Sequence, residues 1–119
     1  MEELIKRITD SVGIDADKAM SAVGAILSIL QTEGPSDQVS AMIASIPGAQ
    51  DAIDGISGGG LSGMMPGVMG LGSQLMGMGL GMGEIQGVAK ETIGFAKENA
   101  GEEAVDEVIA AIPGLSQFI

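Results

Sequence analysis

Thioether sulfur is the most unusual chemistry that this sequence offers. Nine methionines occur in 119 residues, and six of them fall in one central stretch. These six are Met64, Met65, Met69, Met76, Met78 and Met82. Thioethers bind Cu(I), but flexible methionine side chains more often fill gaps in a core or form adaptable contact surfaces. Because no His or Cys accompanies them, we expect packing or partner contact here and no metal site.

Carboxylates are the second candidate chemistry. Asp10, Asp15 and Asp17 lie close together, but their spacing departs from that of a calcium-binding loop after two positions. We expect Asp15 to cap a helix instead. The acidic residues at 102–107 fit the favourable placement of negative charge at a helix N-terminus.

Composition excludes several classes of enzyme. A chain without Cys and His has no thiol nucleophile, no Ser-His triad and no imidazole or thiolate zinc site. The glycines at 58–60 lack the Gly-Lys-Ser/Thr that a phosphate-binding loop needs. With two Phe and no Trp or Tyr, the chain also lacks aromatic platforms for sugars. We therefore predict a non-catalytic protein without a cofactor.

Charge limits the partners. Sixteen acidic and five basic residues give a net charge of -11, so the surface repels nucleic acid and anionic membranes. Residues 61–82 are uncharged and long enough to span a bilayer, but they contain seven Gly and Pro66. We expect no nucleic-acid partner and no membrane partner.

The first residues predict a cytoplasmic protein. They place charges on both sides of Leu4 and Ile5, unlike the apolar run of a secretory signal. Removal of a leader would leave the same start, so an exported location stays open.

Apolar residues recur at helical spacing in both flanks of the chain. In the first flank they are Leu4, Ile5, Ile8 and Val12, then Ala19, Val23, Ile26, Leu27 and Leu30, then Val39, Met42, Ile43 and Ile46. Gly34-Pro35 ends the second helix, and Ser36 is a candidate N-cap for the third. Since no stretch alternates with a period of two, the prediction is an all-α fold without a sheet.

The two flanks are also similar to each other. A shift of 66 residues places Ile43–Gly48 on Ile109–Gly114 and Gly13 on Gly79, which indicates an internal repeat. We predict a small helical bundle of two tandem three-helix repeats. The first repeat spans 1–54, a Gly/Met-rich linker spans 55–66, and the second repeat, at 67–119, packs on the first as one domain.

The shift makes a further prediction for the glycine-rich middle. It places a Gly-rich helix at 67–79, preceded by a flexible linker at 57–60.

The order of motifs carries a resemblance. Val12-Gly-Ile-Asp precedes an Ala-rich helix with Gly24-Ala-Ile-Leu, and Ile46-Pro-Gly, a glycine-rich middle and Leu80-Gly-Met-Gly-Glu-Ile follow. This order resembles the bacterial VcgC/VcgE family of unknown function. The resemblance implies an all-helical fold and brings no catalytic residues to this chain. Members of the family often begin with an export signal, which this chain does not.

Two functional hypotheses follow. The first is a protein-protein interaction or self-association module, a homodimer for example, that packs through an exposed apolar patch. Its predicted contact residues are Met64, Met65, Met69, Leu71 and Met76. The alternative is a binder of an apolar small molecule or lipid, with the same Met/Gly-rich segment lining a deformable pocket.

Overall fold

The computed structural model describes residues 2–57 and 75–112. Over these residues the chain forms helices and no strand, so the all-α prediction is confirmed. The longer helices are α1 (Glu2–Val12), α2 (Ala16–Glu33), α3 (Ser36–Ser45), α4 (Ala49–Ser57), α5 (Met82–Ala100) and α6 (Glu102–Ala111). A short helical turn at 75–77 precedes α5.

The ends of the first helices follow from local chemistry. Gly13 takes a positive φ of 84° after α1, and its N–H donates to the Thr9 carbonyl. Asp15 then occupies the N-cap position of α2, but its side chain makes no capping hydrogen bond. The predicted side-chain cap is therefore wrong, although the predicted helix start is right.

Proline sets the start of α3. Pro35 is the N-cap residue, with a φ of -66°, and Ser36 is the first helical residue. The sequence placed the N-cap one residue later, at Ser36. Because the proline ring fixes φ near this value and removes one amide donor, Pro35 suits a helix start. The four buried apolar residues of the α3 segment, Val39, Met42, Ile43 and Ile46, were predicted correctly.

The helix α4 was not predicted. Its buried residues Ala49, Ala52 and Ile53 have helical spacing, but the stripe is short and follows Pro47-Gly48, which the sequence predicts as the end of the third helix. The segment 1–54, predicted as a three-helix repeat, therefore contains residues of four helices. Residues 55–57, assigned to the linker, are the end of α4. The rest of that linker, at 58–66, lies outside the described residues.

The core is shared by both halves of the chain. The central helix α2 packs against α1, α3, α4 and α5, while α1 also lies on α5 and α3 contacts α5 and α6. All six helices contribute buried side chains to one cluster of Ile, Leu, Val, Ala and Met residues, with Phe95 as its one aromatic member among the described residues. Helices from the two halves thus interleave around a single aliphatic core.

Polar contacts on the surface join the same helices. The Arg7 guanidinium of α1 contacts both carboxylate oxygens of Glu98 on α5, with Nη2 3.1 Å from Oε1. It also pairs with Glu3 and lies 5.4 Å from the centre of the Phe95 ring. Arg7 therefore combines an ion pair with a cation-π contact at the junction of α1 and α5.

Helix boundaries agree with the 66-residue shift. The starts of α2 and α5, at Ala16 and Met82, are separated by that distance. The same separation holds for the starts of α3 and α6, at Ser36 and Glu102. The repeat, and the division into units at 1–54, 55–66 and 67–119, stay predictions.

A pair of glycine substitutions tests the packing of α1 on α5. A Cβ at Gly87 would lie 2.7 Å from Val12 Cγ2, whereas a Cβ at Gly94 of the same helix would meet no atom within 4 Å. We expect Gly87→Ala to lower the free energy of unfolding by about 1–3 kcal/mol because α1 must move. Gly94→Ala should raise it by about 0.5–1 kcal/mol. Urea unfolding followed by circular dichroism measures both, and equal effects would contradict the close contact.

A second prediction concerns the pH dependence of stability. The hydrogen bond from Arg7 holds the pKa of Glu98 below its usual range. Because this pKa is lower in the folded than in the unfolded chain, the pair stabilises the fold above the ordinary Glu pKa, and the gain disappears as pH falls through the lowered value. Glu98→Gln should therefore destabilise the protein at pH 7 and have little effect at acid pH.

The matched control is Glu91→Gln on the same helix, since Glu91 has no ion pair within the described part of the chain. Urea midpoints measured from pH 7 to acid pH separate the two variants. If Glu98→Gln destabilises the protein equally at acid pH, the ion pair of Glu98 with Arg7 is not the source of the stability.

Candidate functional site

A glycine turn organises the described end of the Gly/Met-rich segment. After the helical residues 75–77, the Leu80 N–H donates to the Leu75 carbonyl at 3.3 Å and the Gly79 N–H donates to the Met76 carbonyl at 3.0 Å. Gly79 has a positive φ of 93°. This pattern is a Schellman motif, in which a left-handed glycine ends a helix. Leu75 and Leu80 are both buried in the core, so the turn is anchored at both ends.

The start of α5 continues from this turn. The Gly81 N–H donates to Glu84 Oε1 at 2.8 Å, which satisfies a backbone donor at the helix N-terminus. Ile85 and Val88 are buried in the core, whereas Met82, the first residue of α5, is exposed.

The turn displays two methionines to solvent. Met76 is 55% exposed and Met82 is 62% exposed, whereas Met42 in the core is 0% exposed. The third large apolar side chain exposed among the described residues is Met20 on α2, at 40%. We call these two exposed side chains, Met76 and Met82, which flank the Gly79 turn in the sequence, the methionine patch. It stands out because, apart from Met20, the large apolar side chains whose burial the structure describes are buried or partly buried.

The methionine patch is electrically neutral. The stretch from residue 55 to residue 83 contains no charged residue in a protein of net charge -11. Charges lie at its border: Glu84 follows Met82, and Lys18 Nζ is 3.4 Å from the position that a Gly79 Cβ would take. The patch is thus an apolar area with acidic and basic groups at its edge.

Among the predicted contact residues, the structure describes Met76 and shows it exposed. Met64, Met65, Met69 and Leu71 lie outside the described residues, as does the predicted Gly-rich helix from 67 to 74. Of the remaining residues of that predicted helix, 75–77 are helical and 78–79 form a turn.

Met82 was not among the predicted contact residues. The 66-residue shift nevertheless aligns it with an exposed position of the first half. The shift places Met82 on Ala16 and Met76 on Asp10, and both of these positions are exposed in the first half. A large apolar side chain at a position whose counterpart is solvent-exposed is a candidate for contact with a partner.

An open groove lies elsewhere on the molecule. Its volume is about 400 Å³, and it runs between the C-terminal parts of α2 and α3 and the start of α4. Its lining residues are Gln31, Ser40, Ile43, Ala44, Ile46, Pro47, Gly48, Gln50 and Asp51. Met76, the predicted contact residue that the structure describes, is not among these lining residues.

Two further properties concern the described ranges. None of the helices within 2–57 and 75–112 is long and apolar enough to cross a bilayer. Over the same residues, no three acidic side chains come together in a group that could hold a metal ion. The cytoplasmic location predicted from the first residues stays a prediction.

Comparison with known proteins confirms the family resemblance. A family model described as protein of unknown function VcgC/VcgE matches residues 1–90. The chain belongs to the VcgC/VcgE family. No curated protein and no solved structure matches it. The match runs from α1 into α5, so it includes the turn and the methionine patch and ends before α6.

Two further glycine substitutions test the turn that supports the patch. Gly79→Ala should lower the free energy of unfolding by about 1–2 kcal/mol because an L-residue is strained at this positive φ. Gly77→Ala is the matched control, since a Cβ at Gly77 meets no atom within 4 Å. It should leave the stability unchanged or raise it by up to about 1 kcal/mol. Thermal or urea unfolding measures both effects. A Gly79→Ala variant as stable as the unchanged protein would contradict the turn.

Proposed function

We propose that this VcgC/VcgE protein acts without catalysis, through protein-protein contact, and that the contact is self-association through the methionine patch. The observation that carries the proposal is the exposure of Met76 and Met82 in a molecule whose other large apolar side chains, over the described residues, are mostly buried. Apolar area left in water is a common mark of a binding surface.

The charge distribution favours a second copy as the partner. Two molecules of charge -11 repel each other across most of their surfaces. The described part of the neutral stretch, which carries the methionine patch, lets two copies approach with few carboxylates between them. A two-fold dimer places the same patch of each protomer against its partner, so methionine meets methionine. Flexible thioether side chains suit such a self-complementary contact because they adapt to one another.

The burial of polar groups supports a non-catalytic role. In the described part of the chain, Thr92 is the polar side chain that is buried, and its hydroxyl donates to the Val88 carbonyl within α5. The described carboxylates are exposed or half-exposed. Acid-base catalysis commonly uses a buried carboxylate, and the carboxylates whose burial the structure describes are not buried.

The proposal predicts association that depends on concentration. Sedimentation velocity on the full chain, from about 1 µM to 1 mM, should show a shift from monomer to dimer, as expected for a small, weak interface. Met76→Glu and Met82→Glu should each raise the dissociation constant at least about tenfold, because dimerisation would then bury a charge in an apolar contact. Added salt should strengthen association by screening the repulsion between two acidic protomers.

Gln31→Glu is the matched control. It adds the same single charge at an exposed position, 13 residues beyond Lys18 on α2, which is about 20 Å along the helix axis. It should leave the dissociation constant nearly unchanged. A protein that stays monomeric at every concentration contradicts self-association. If native mass spectrometry then shows a copurified lipid or apolar molecule, the alternative of a ligand binder replaces it.

A further inference from the structure

The side-chain chemistry of this protein makes methionine the principal target of an oxidant. The chain has nine Met and no Cys, His, Trp or Tyr. The residues that ordinarily compete for peroxides and related oxidants are therefore absent. Thioether sulfur, which is oxidised to sulfoxide reversibly, is the soft nucleophile that remains.

The described methionines differ in exposure. Met76 and Met82 expose more than half of their surface and Met20 exposes 40%, whereas Met42 is fully buried between α3 and the rest of the core. Since oxidation of a buried thioether requires local opening of the fold, exposure favours oxidation of Met76 and Met82 over Met42, and Met20 serves as the exposed comparison outside the patch.

We propose that Met76 and Met82 are a modification site, at which oxidation by a hydroperoxide switches the methionine patch from an associating to a non-associating state. This inference rests on the proposed self-association and adds its regulation.

The chemistry of the step is a two-electron oxygen transfer. A sulfur lone pair attacks the terminal oxygen of hydrogen peroxide, the S–O bond forms and the O–O bond breaks. The sulfur is oxidised to a sulfoxide, and the peroxide is reduced. The departing hydroxide takes the remaining proton and leaves as water. A dithiol reductant reverses the change, becoming a disulfide and releasing water.

The effect on the patch follows from polarity. A sulfoxide replaces an apolar sulfur with a strongly polar S=O acceptor. In a methionine-to-methionine contact, the sulfoxide oxygen loses its hydrogen bonds to water and finds no other donor. The dissociation constant of the dimer should therefore rise at least about tenfold. The coupling is reciprocal: association covers the sulfurs, so it should slow their oxidation.

The test follows oxidation and association in the full chain. Hydrogen peroxide is added at protein concentrations below and above the dimerisation midpoint, and peptide mass spectrometry measures the rate at each methionine. Met76 and Met82 should react at least about tenfold faster than Met42 in the monomer, and should be protected in the dimer. Sedimentation should then show loss of the dimer, and treatment with methionine sulfoxide reductases and a dithiol should restore it.

Leucine variants assign the effect to the patch. The double variant Met76→Leu/Met82→Leu keeps the patch apolar but removes its oxidisable sulfur, so it should dimerise and stay dimeric in peroxide. Met20→Leu removes an exposed methionine outside the patch and should remain sensitive to peroxide. Circular dichroism verifies that each oxidised sample is folded.

The possible failures are distinguishable. Untreated protein that is monomeric throughout overturns the proposed self-association and this inference with it. A dimer that survives complete oxidation of Met76 and Met82 overturns only the inference. So does a double leucine variant that still dissociates in peroxide, since the sensitive residue then lies elsewhere.

Discussion

Burial of one aliphatic core by both halves of the chain is the interaction on which the rest of the structure depends. With two Phe and no Trp or Tyr, no single side chain covers much area, so many small contacts must be made at once. A half of about 50 residues has too little apolar area to be stable by itself. The interleaving of α1 with α5, and of α3 with α5 and α6, supplies the missing contacts.

The same core determines what the surface displays. Leu75 and Leu80 are held in the core on either side of the Gly79 turn, and the neighbouring Met76 and Met82 are left outside it. Their exposure is therefore a consequence of how the second half is anchored. Because the surrounding sequence carries no charge, the anchoring produces a neutral apolar area on an acidic molecule. That combination links the fold to the proposed contact between copies.

Much of the fold could be predicted from the sequence because its signals are local. Glycine and proline mark the helix ends at Gly13, Gly34-Pro35 and Pro47-Gly48. The spacing of apolar residues predicts which face of each helix is buried. The helix α4 was not predicted because a stripe of three apolar residues is too short to distinguish a helix from a loop. The contact of Val12 with Gly87 and the ion pair of Arg7 with Glu98 join residues far apart in the chain, and no local pattern reports them.

The sequence predicts the segment that holds the candidate site, but it predicts only some of the residues that are exposed there. The methionine content and the absence of charge marked the segment, and Met76 is exposed as a contact residue must be. Met82 lies three residues before the buried Ile85, so helical spacing alone does not predict its exposure.

The central claim is that Met76 and Met82 form the contact between copies. Methyl NMR on protein labelled with ¹³C at the methionine methyl groups reports each thioether separately as the protein concentration is raised. The account predicts that the Met76 and Met82 signals shift or broaden with concentration while the Met42 signal stays fixed. Signals of Met76 and Met82 that do not change, in a sample where association is measured independently, would contradict it.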